Sequence, residues 1–295
     1  FDYVLNNGLK NNFNLLIKNV NSDGHNSTTN RNDVSNKLLG SFIFESSFPL
    51  KKIGTNYTSF LEPIASLRYS PTETKNISNS DRRIDLNNIF STNRISDNNT
   101  IEGGESLTIG NTYRLTDKNN LQEYLFFGLA SNFRLEENND LPLTSTINKK
   151  NSDIVGNVKI SPNKHFNIDY NFSLDNNLDS SNYDSVKTTL SLNNFVTSFQ
   201  YLQEQGDIGS ESFIQNDTSF NFNKENSLNF STRKNKETDL TEFYNLIYQY
   251  KNDCLIAGIE YNKEYYTDSD LKPTEQLLFT ITILPFGKVN TTNLR

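Results

Sequence analysis

Few residues in this chain carry the means for covalent chemistry. There is one cysteine, Cys254, and there are two histidines, His25 and His165, far apart in sequence. A single thiol cannot close a disulfide within the chain, and the two imidazoles lack metal-ligand spacing. Ser, His and acid converge on no nucleophile arrangement, and neither histidine lies in a recognisable catalytic motif. No cofactor or metal site is expected, and the chain reads as a non-enzyme. Gly103-Gly104 does not resemble a phosphate-binding loop, because no helix follows it. What remains is charge: Asp81, Arg82, Arg83, Asp85 and Arg94 fall within one long connection, 70–100, where they can form internal ion pairs.

Composition narrows the setting in which such groups would act. Of 295 residues, 34% are hydrophobic, against roughly 45–50% in ordinary globular domains. The net charge is −7, from 28 Lys+Arg and 35 Asp+Glu, which argues against nucleic acid as a partner. Mean hydropathy is −0.65, and no apolar run approaches the ~20 residues of a membrane-spanning helix. A membrane β-barrel stays open, because only alternate residues of its strands must be apolar. Disorder is disfavoured by 21 Phe and 14 Tyr. Met is absent and residue 1 already lies in a patterned segment, so a processed chain or fragment is expected.

The pattern that would position any site is alternation. Phe166, Ile168, Tyr170, Phe172 and Leu174 fall on one side of an extended segment, with Asn167, Asp169, Asn171 and Ser173 on the other. Period two marks a β-strand. The same reading places strands at 1–6, 12–20, 35–48, 57–69, 101–115, 122–135, 153–161, 165–175, 183–193, 195–205, 211–223, 227–235, 237–251, 254–266 and 275–286. These are about fifteen, many near the ~9–11 residues that cross a bilayer at a tilt. From residue 69 onward short and long connections mostly alternate, as tight periplasmic turns and longer outer loops do; position 236 is a short exception. With the final strand ending in the periplasm, 21–34 and 70–100 lie outside, where the latter can enter or cap a lumen.

The expected fold is therefore an all-β, antiparallel transmembrane β-barrel, with a soluble sandwich or solenoid as rival. Tyrosines near strand ends, such as Tyr57, Tyr124 and Tyr248, suit an interfacial girdle as well as ordinary β-propensity. Acidic residues in outer loops suit either shared divalent cations or a solvated surface. An odd strand count does not close an ordinary single-chain bacterial barrel, so 1–295 is expected to be the C-terminal part of one. Pro63 interrupts a strand and reads as a kink fitted to a plug or loop, or as a bulge without function. Pro285 removes a donor near the end of the last strand.

Three stretches resemble the LPS-assembly outer-membrane protein family, LptD. They are Leu61-Glu-Pro-Ile-Ala-Ser-Leu-Arg-Tyr-Ser-Pro71, the run Asn93–Gly110 after the long connection, and Asn252–Tyr266 with Leu277–Gly287. The resemblance implies a Gram-negative cell outer membrane protein that inserts lipopolysaccharide into the outer leaflet through a lateral opening. It further implies an LptE-like outer-membrane lipoprotein plug and an LptA-like periplasmic bridge protein, the latter meeting an N-terminal periplasmic domain absent from this chain. At the place of Cys254 the family carries cysteines that pair with the N-terminal region, so a long-range disulfide from Cys254 is implied; a free, packed thiol is the other reading. A passive porin or nutrient channel is the alternative function.

Overall fold

Alternating apolar and polar side chains give each strand two chemically distinct faces, and hairpin turns bring like faces together. The computed structural model describes residues 2–23, 34–265, 274–283 and 287–290. In them are β1 (Asp2–Val4), β2 (Lys10–Ser22), β3 (Ser35–Ser47), β4 (Leu50–Ile53), β5 (Tyr57–Ser70), β6 (Gly104–Asp117), β7 (Glu123–Arg134), β8 (Ile154–Asn163) and β9 (Phe166–Leu174). Then follow β10 (Ser181–Leu192), β11 (Phe195–Glu204), β12 (Ser212–Asn221), β13 (Asn226–Asn235), β14 (Thr241–Lys251), β15 (Leu255–Glu264), β16 (Thr274–Ile283) and β17 (Gly287–Asn290). The only helical element among the described residues is a 3-10 turn, Leu143–Ser145. The chain forms two compact units, one of residues 1–159, 171–183 and 205–209, the other of 160–170, 184–204 and 210–295.

In the first unit, β2, β3, β5, β6 and β7 pair antiparallel in chain order. Their two faces invert the usual rule of a soluble sheet. Phe13, Leu15, Ile17, Leu38, Phe42, Leu67, Tyr69 and Ile109 are exposed, while Ser66, Arg68, Ser70, Ser106, Thr108, Asn132 and Arg134 are buried. The polar face is buried because chain from 71–103 and 135–153 packs on it. Ile84, Ile89, Ile95, Leu141 and Ile147 from those connections join Ala130 and Val155 of the strands in one apolar cluster.

In the second unit, β11 to β17 pair antiparallel in chain order. Tyr248, Ile259 and Phe279 lie directly opposite one another across β14, β15 and β16. All three are exposed, as are Leu246, Leu277, Ile281 and Ile283. An apolar face turned outward on both units is what a wall in lipid requires.

Seventeen strand segments stand among the described residues where about fifteen are expected from alternation. Two short ones account for the difference. β4 has only four residues, follows Pro49, and pairs with Thr58–Leu61 of β5. β17 is equally short. The expected one-residue connection at 236 runs instead from Lys236 to Leu240, and Asp239 there adopts a left-handed φ of 54°. That lengthening restores the alternation of short and long connections.

Pro63 causes no shift of register with β6, where it faces Asn111. The discontinuity lies on the other edge. There β3 pairs with Ile64–Tyr69 and β4 with Thr58–Leu61, and the Pro63 carbonyl accepts from the Phe48 amide at 3.1 Å. Its missing N–H thus falls where the neighbouring ladder is already broken. Pro285 lies outside the described residues.

Candidate functional site

The most constrained polar site of the chain is built where β5, β6 and β7 run side by side. Arg68 faces Ser106, and Ser106 faces Arg134. All three point to the polar face, so two guanidiniums stand in one row two strands apart, about 10 Å by strand spacing. Such a pair needs a counter-charge from above. Glu102, the last residue but one before β6, supplies it, and Arg94 comes from the same long connection.

Glu102 Oε1 accepts from Arg94 Nη2 at 2.5 Å and from Arg134 Nη1 at 2.6 Å. Its Oε2 accepts from Arg94 Nε at 2.6 Å and lies 3.6 Å from Arg68 Nε. The four residues are 2–8% exposed. Burial alone would raise the Glu102 carboxyl, but the guanidiniums of Arg94, Arg68 and Arg134 outweigh it and hold it down at about 2. Arg94 also donates to Thr108 Oγ1 at 3.0 Å, Ser106 Oγ at 3.1 Å, Asn132 Oδ1 at 2.9 Å and the Ile89 carbonyl at 3.3 Å. Arg68 donates to the carbonyls of Ser91 and Thr92, both at 2.8 Å.

Further polar contacts fix the same segment. Lys18 of β2 donates to the carbonyls of Thr100, at 3.1 Å, and Asp97, and to Asn93 Oδ1 at 3.2 Å. Gly103 and Gly104 make the close return to the wall possible. A Cβ on Gly103 would lie 2.2 Å from the Thr72 carbonyl, and Gly104 has φ +84° with Arg134 Nη2 2.9 Å from where a Cβ would stand. The Gly103 carbonyl accepts from Arg134 Nη2. The connection is therefore a fitted part of the wall rather than a free tether.

The expected charged set is divided by this geometry. Arg94 enters the buried cluster. Asp85 turns its own segment, accepting from the amides of Asn87 at 2.8 Å and Asn88 at 3.0 Å. Arg83 stacks over Tyr183, 4.1 Å from the ring centre. Asp81 and Arg82 are exposed. Sequence reasoning named neither Glu102, Arg68 nor Arg134, although Arg68 and Glu102 lie in the stretches that carry the resemblance. The available signal was Arg68 and Arg134 at the polar parity of near-adjacent strands.

The second connection is held by Asp153, which accepts from Asn182 Nδ2 at 2.8 Å and Ser173 Oγ at 3.0 Å. Burial pushes its carboxyl above the usual range. Cys254 is exposed at the turn between β14 and β15, its amide donating to Asn252 Oδ1 at 3.0 Å. No group of His, Cys, Asp and Glu suited to a metal ion occurs among the described residues, and no helix there is long and apolar enough to cross a membrane.

Comparison with known proteins gives one family. The model of LptD, the LPS transport system D, matches residues 11–224. That span contains β5, β6, β7 and both connections packed on them. No curated protein matches. Among solved structures, a mutant porin of Rh. blastica is similar at 7% identity and a TM-score of 0.39, over 94% of this chain and 90% of that one. OmpF of Salmonella typhi, in complex with daunomycin, is similar at 12% identity and a TM-score of 0.35, over 96% of this chain and 99% of that one.

Proposed function

Because this chain belongs to the LptD family of LPS transport, we propose that it inserts lipopolysaccharide into the outer leaflet by a lateral route. Membership makes the all-β meander a transmembrane β-barrel fold of the bacterial outer membrane, with lipopolysaccharide as the transported class. The match across residues 11–224 carries the reading. The inverted faces support it: an outward apolar wall meets lipid, and a polar face offers the glycolipid's sugars and phosphates a hydrated path. A closed ladder satisfies backbone groups within the bilayer; a weak seam lets acyl chains leave sideways. Transport of this kind needs no covalent step.

β16 is the proposed side of that seam. It pairs with β15 from Leu255 to Glu264 but with β17 only over Thr280–Ile283. Asp81, Arg82 and Arg83 are proposed to lie at the mouth, on the connection that Arg94 ties to the wall. A lipoprotein plug and a periplasmic bridge are the proposed partners, and Cys254 the anchor of a disulfide to a periplasmic N-terminal region. The test is depletion of the protein in its own bacterium, followed by labelling of surface-accessible lipopolysaccharide. The expected result is loss of new surface lipopolysaccharide and its accumulation inside. Unchanged surface delivery with reduced solute uptake would refute the reading in favour of a porin.

A further inference from the structure

The cations on the polar face of the first unit take their counter-charge from another segment. Asn14, Ile43, Arg68, Ser106 and Arg134 follow one another across β2, β3, β5, β6 and β7, and that row holds no carboxylate. Glu45, on the next row, stands opposite Ser66, two strands from Thr108. Arg68 is met instead by Ser91, Thr92 and Glu102, and Lys18 by Asn93, Asp97 and Thr100, all from the covering segment. Arg134 is met by Glu102 and Gly103 and, from the second connection, by the Glu136 carbonyl. Three guanidiniums thus share one carboxylate, and the closed cluster keeps a surplus of positive charge. Asn132 adds a donor without a partner. It is fully buried, and its Oδ1 accepts from Arg94 Nη2 at 2.9 Å and Thr108 Oγ1 at 3.1 Å. Its Nδ2 is buried in the same place with no hydrogen-bond partner among the described residues. A buried donor left unmade is costly, and one beside surplus cations suits an anion.

We propose that Arg68, Arg134 and Asn132 form a phosphate site on the wall, and that Glu102 is its internal occupant, which holds the covering segment closed. Glu102 presents one oxygen to Arg134 and the other towards Arg68. A phosphate group presents at least three acceptor oxygens and carries up to two negative charges, and guanidinium forks bind it as they bind a carboxylate. Two of its oxygens replace those of Glu102, and a third serves Asn132 Nδ2. When the segment lifts, Glu102 and Arg94 leave with it. The wall keeps Arg68 and Arg134, whose two charges a phosphate dianion balances. Phosphate and Glu102 compete for one place, so phosphate binding is coupled to the lifting of residues 71–103. The group arrives either on a glycolipid or as free phosphate. Assignment to the glycolipid rests on the transport proposed above; the anion site itself does not.

The test follows the tryptic fragment that ends at Arg94, released from the full-length protein purified in detergent micelles. The probes are lipid A bearing both its phosphates, the same lipid A with both removed enzymatically, and inorganic phosphate. Cleavage should rise about tenfold once the phosphorylated lipid stands about tenfold above its Kd, and the dephosphorylated lipid should leave it unchanged. A response to phosphorylated lipid at concentrations where inorganic phosphate is inert assigns the site to the lipid-borne group; equal potency assigns it to free phosphate. Arg68→Gln leaves Glu102 its hydrogen bonds from Arg94 and Arg134 and should cut the rise to about twofold or less. Asn132→Asp keeps an acceptor for Arg94, adds a negative charge and should abolish the rise. Glu102→Gln should bind radiolabelled phosphorylated lipid A about tenfold more tightly or better, because the competent state is more populated. Cleavage that ignores both phosphate probes, an equal response to the dephosphorylated lipid, or weaker binding by Glu102→Gln overturns the proposal, whatever the labelling of surface lipopolysaccharide returns.

Discussion

Replacing Glu102 with glutamine keeps the shape of the side chain and removes the one negative charge among three buried guanidiniums. The structure sets the scale in two ways. Removing one partner of a buried ion pair costs about 3–5 kcal/mol, because the remaining charge stays desolvated. Independently, a carboxyl held at about 2 rather than 4.5 favours its ionised form in the folded protein by about 3 kcal/mol. The two routes agree, and about 3 kcal/mol changes an opening equilibrium more than ~100-fold. The event to measure is release of residues 71–103 from the polar face. Arg94 is 3% exposed, so trypsin can cut after it only once the segment lifts. Where opening is fast, cleavage follows the open population. Glu102→Gln in native membranes should be cut after Arg94 about 100-fold faster than the parent, whereas Glu123→Gln, at an exposed strand end, should behave like the parent. Cleavage of Glu102→Gln within about a factor of two of the parent would mean that the cluster does not hold the segment, and the reasoning fails.

Acid should act on the same lock. The depressed carboxyl contributes fully above its ordinary 4.5 and loses that contribution as pH falls through about 2; pepsin should therefore begin to cut within 71–103 across this window, and Glu102→Gln should show no such step. Gly103→Ala forces a Cβ to within 2.2 Å of the Thr72 carbonyl and should destabilise the closed segment by about 1–3 kcal/mol, read as a lower urea midpoint. Gly40→Ala, with nothing within 4 Å, is its control and should change stability by about 0.5 kcal/mol or less. The proposed bridge predicts that Cys254→Ser removes the mobility difference between reduced and oxidised full-length protein on a gel; an unchanged oxidised band would exclude it.

The strands were legible because alternation is a local signal. Residues 165–175 were expected and Phe166–Leu174 is observed; 57–69 corresponds to Tyr57–Ser70. β4 escaped because four residues after a proline show no period. The 101–115 strand starts late, at Gly104, because Glu102 and Gly103 are drawn into the cluster instead of the ladder. The charged connection was legible as a place and not as a geometry. Asp81, Arg82, Arg83 and Asp85 stand beside Arg94 in sequence, yet its partners lie 8 residues on at Glu102 and 38 on at Asn132. Parity was the missed clue: Arg68 and Arg134, both facing Ser106, cannot share a buried row without an anion brought in by another segment.

Two kinds of contact hold 71–103 and 135–153 to the wall, and they do different work. Ile84, Ile89, Ile95, Leu141 and Ile147 are all nearly inaccessible, and each buried aliphatic side chain contributes about 1.5–3 kcal/mol. Their sum far exceeds the net gain of an ion cluster, most of whose attraction is cancelled by desolvation. Adhesion is thus apolar, while position is ionic. Isoleucines tolerate sliding over one another, but the forked guanidinium of Arg94 meets Glu102, Thr108 and Asn132 together in one placement only. The loss expected for Glu102→Gln therefore measures stranded positive charge rather than a missing attraction. A wall built this way keeps a water-compatible face under its covering segment, with Ser66, Ser70, Ser106 and Thr108 still polar beneath it.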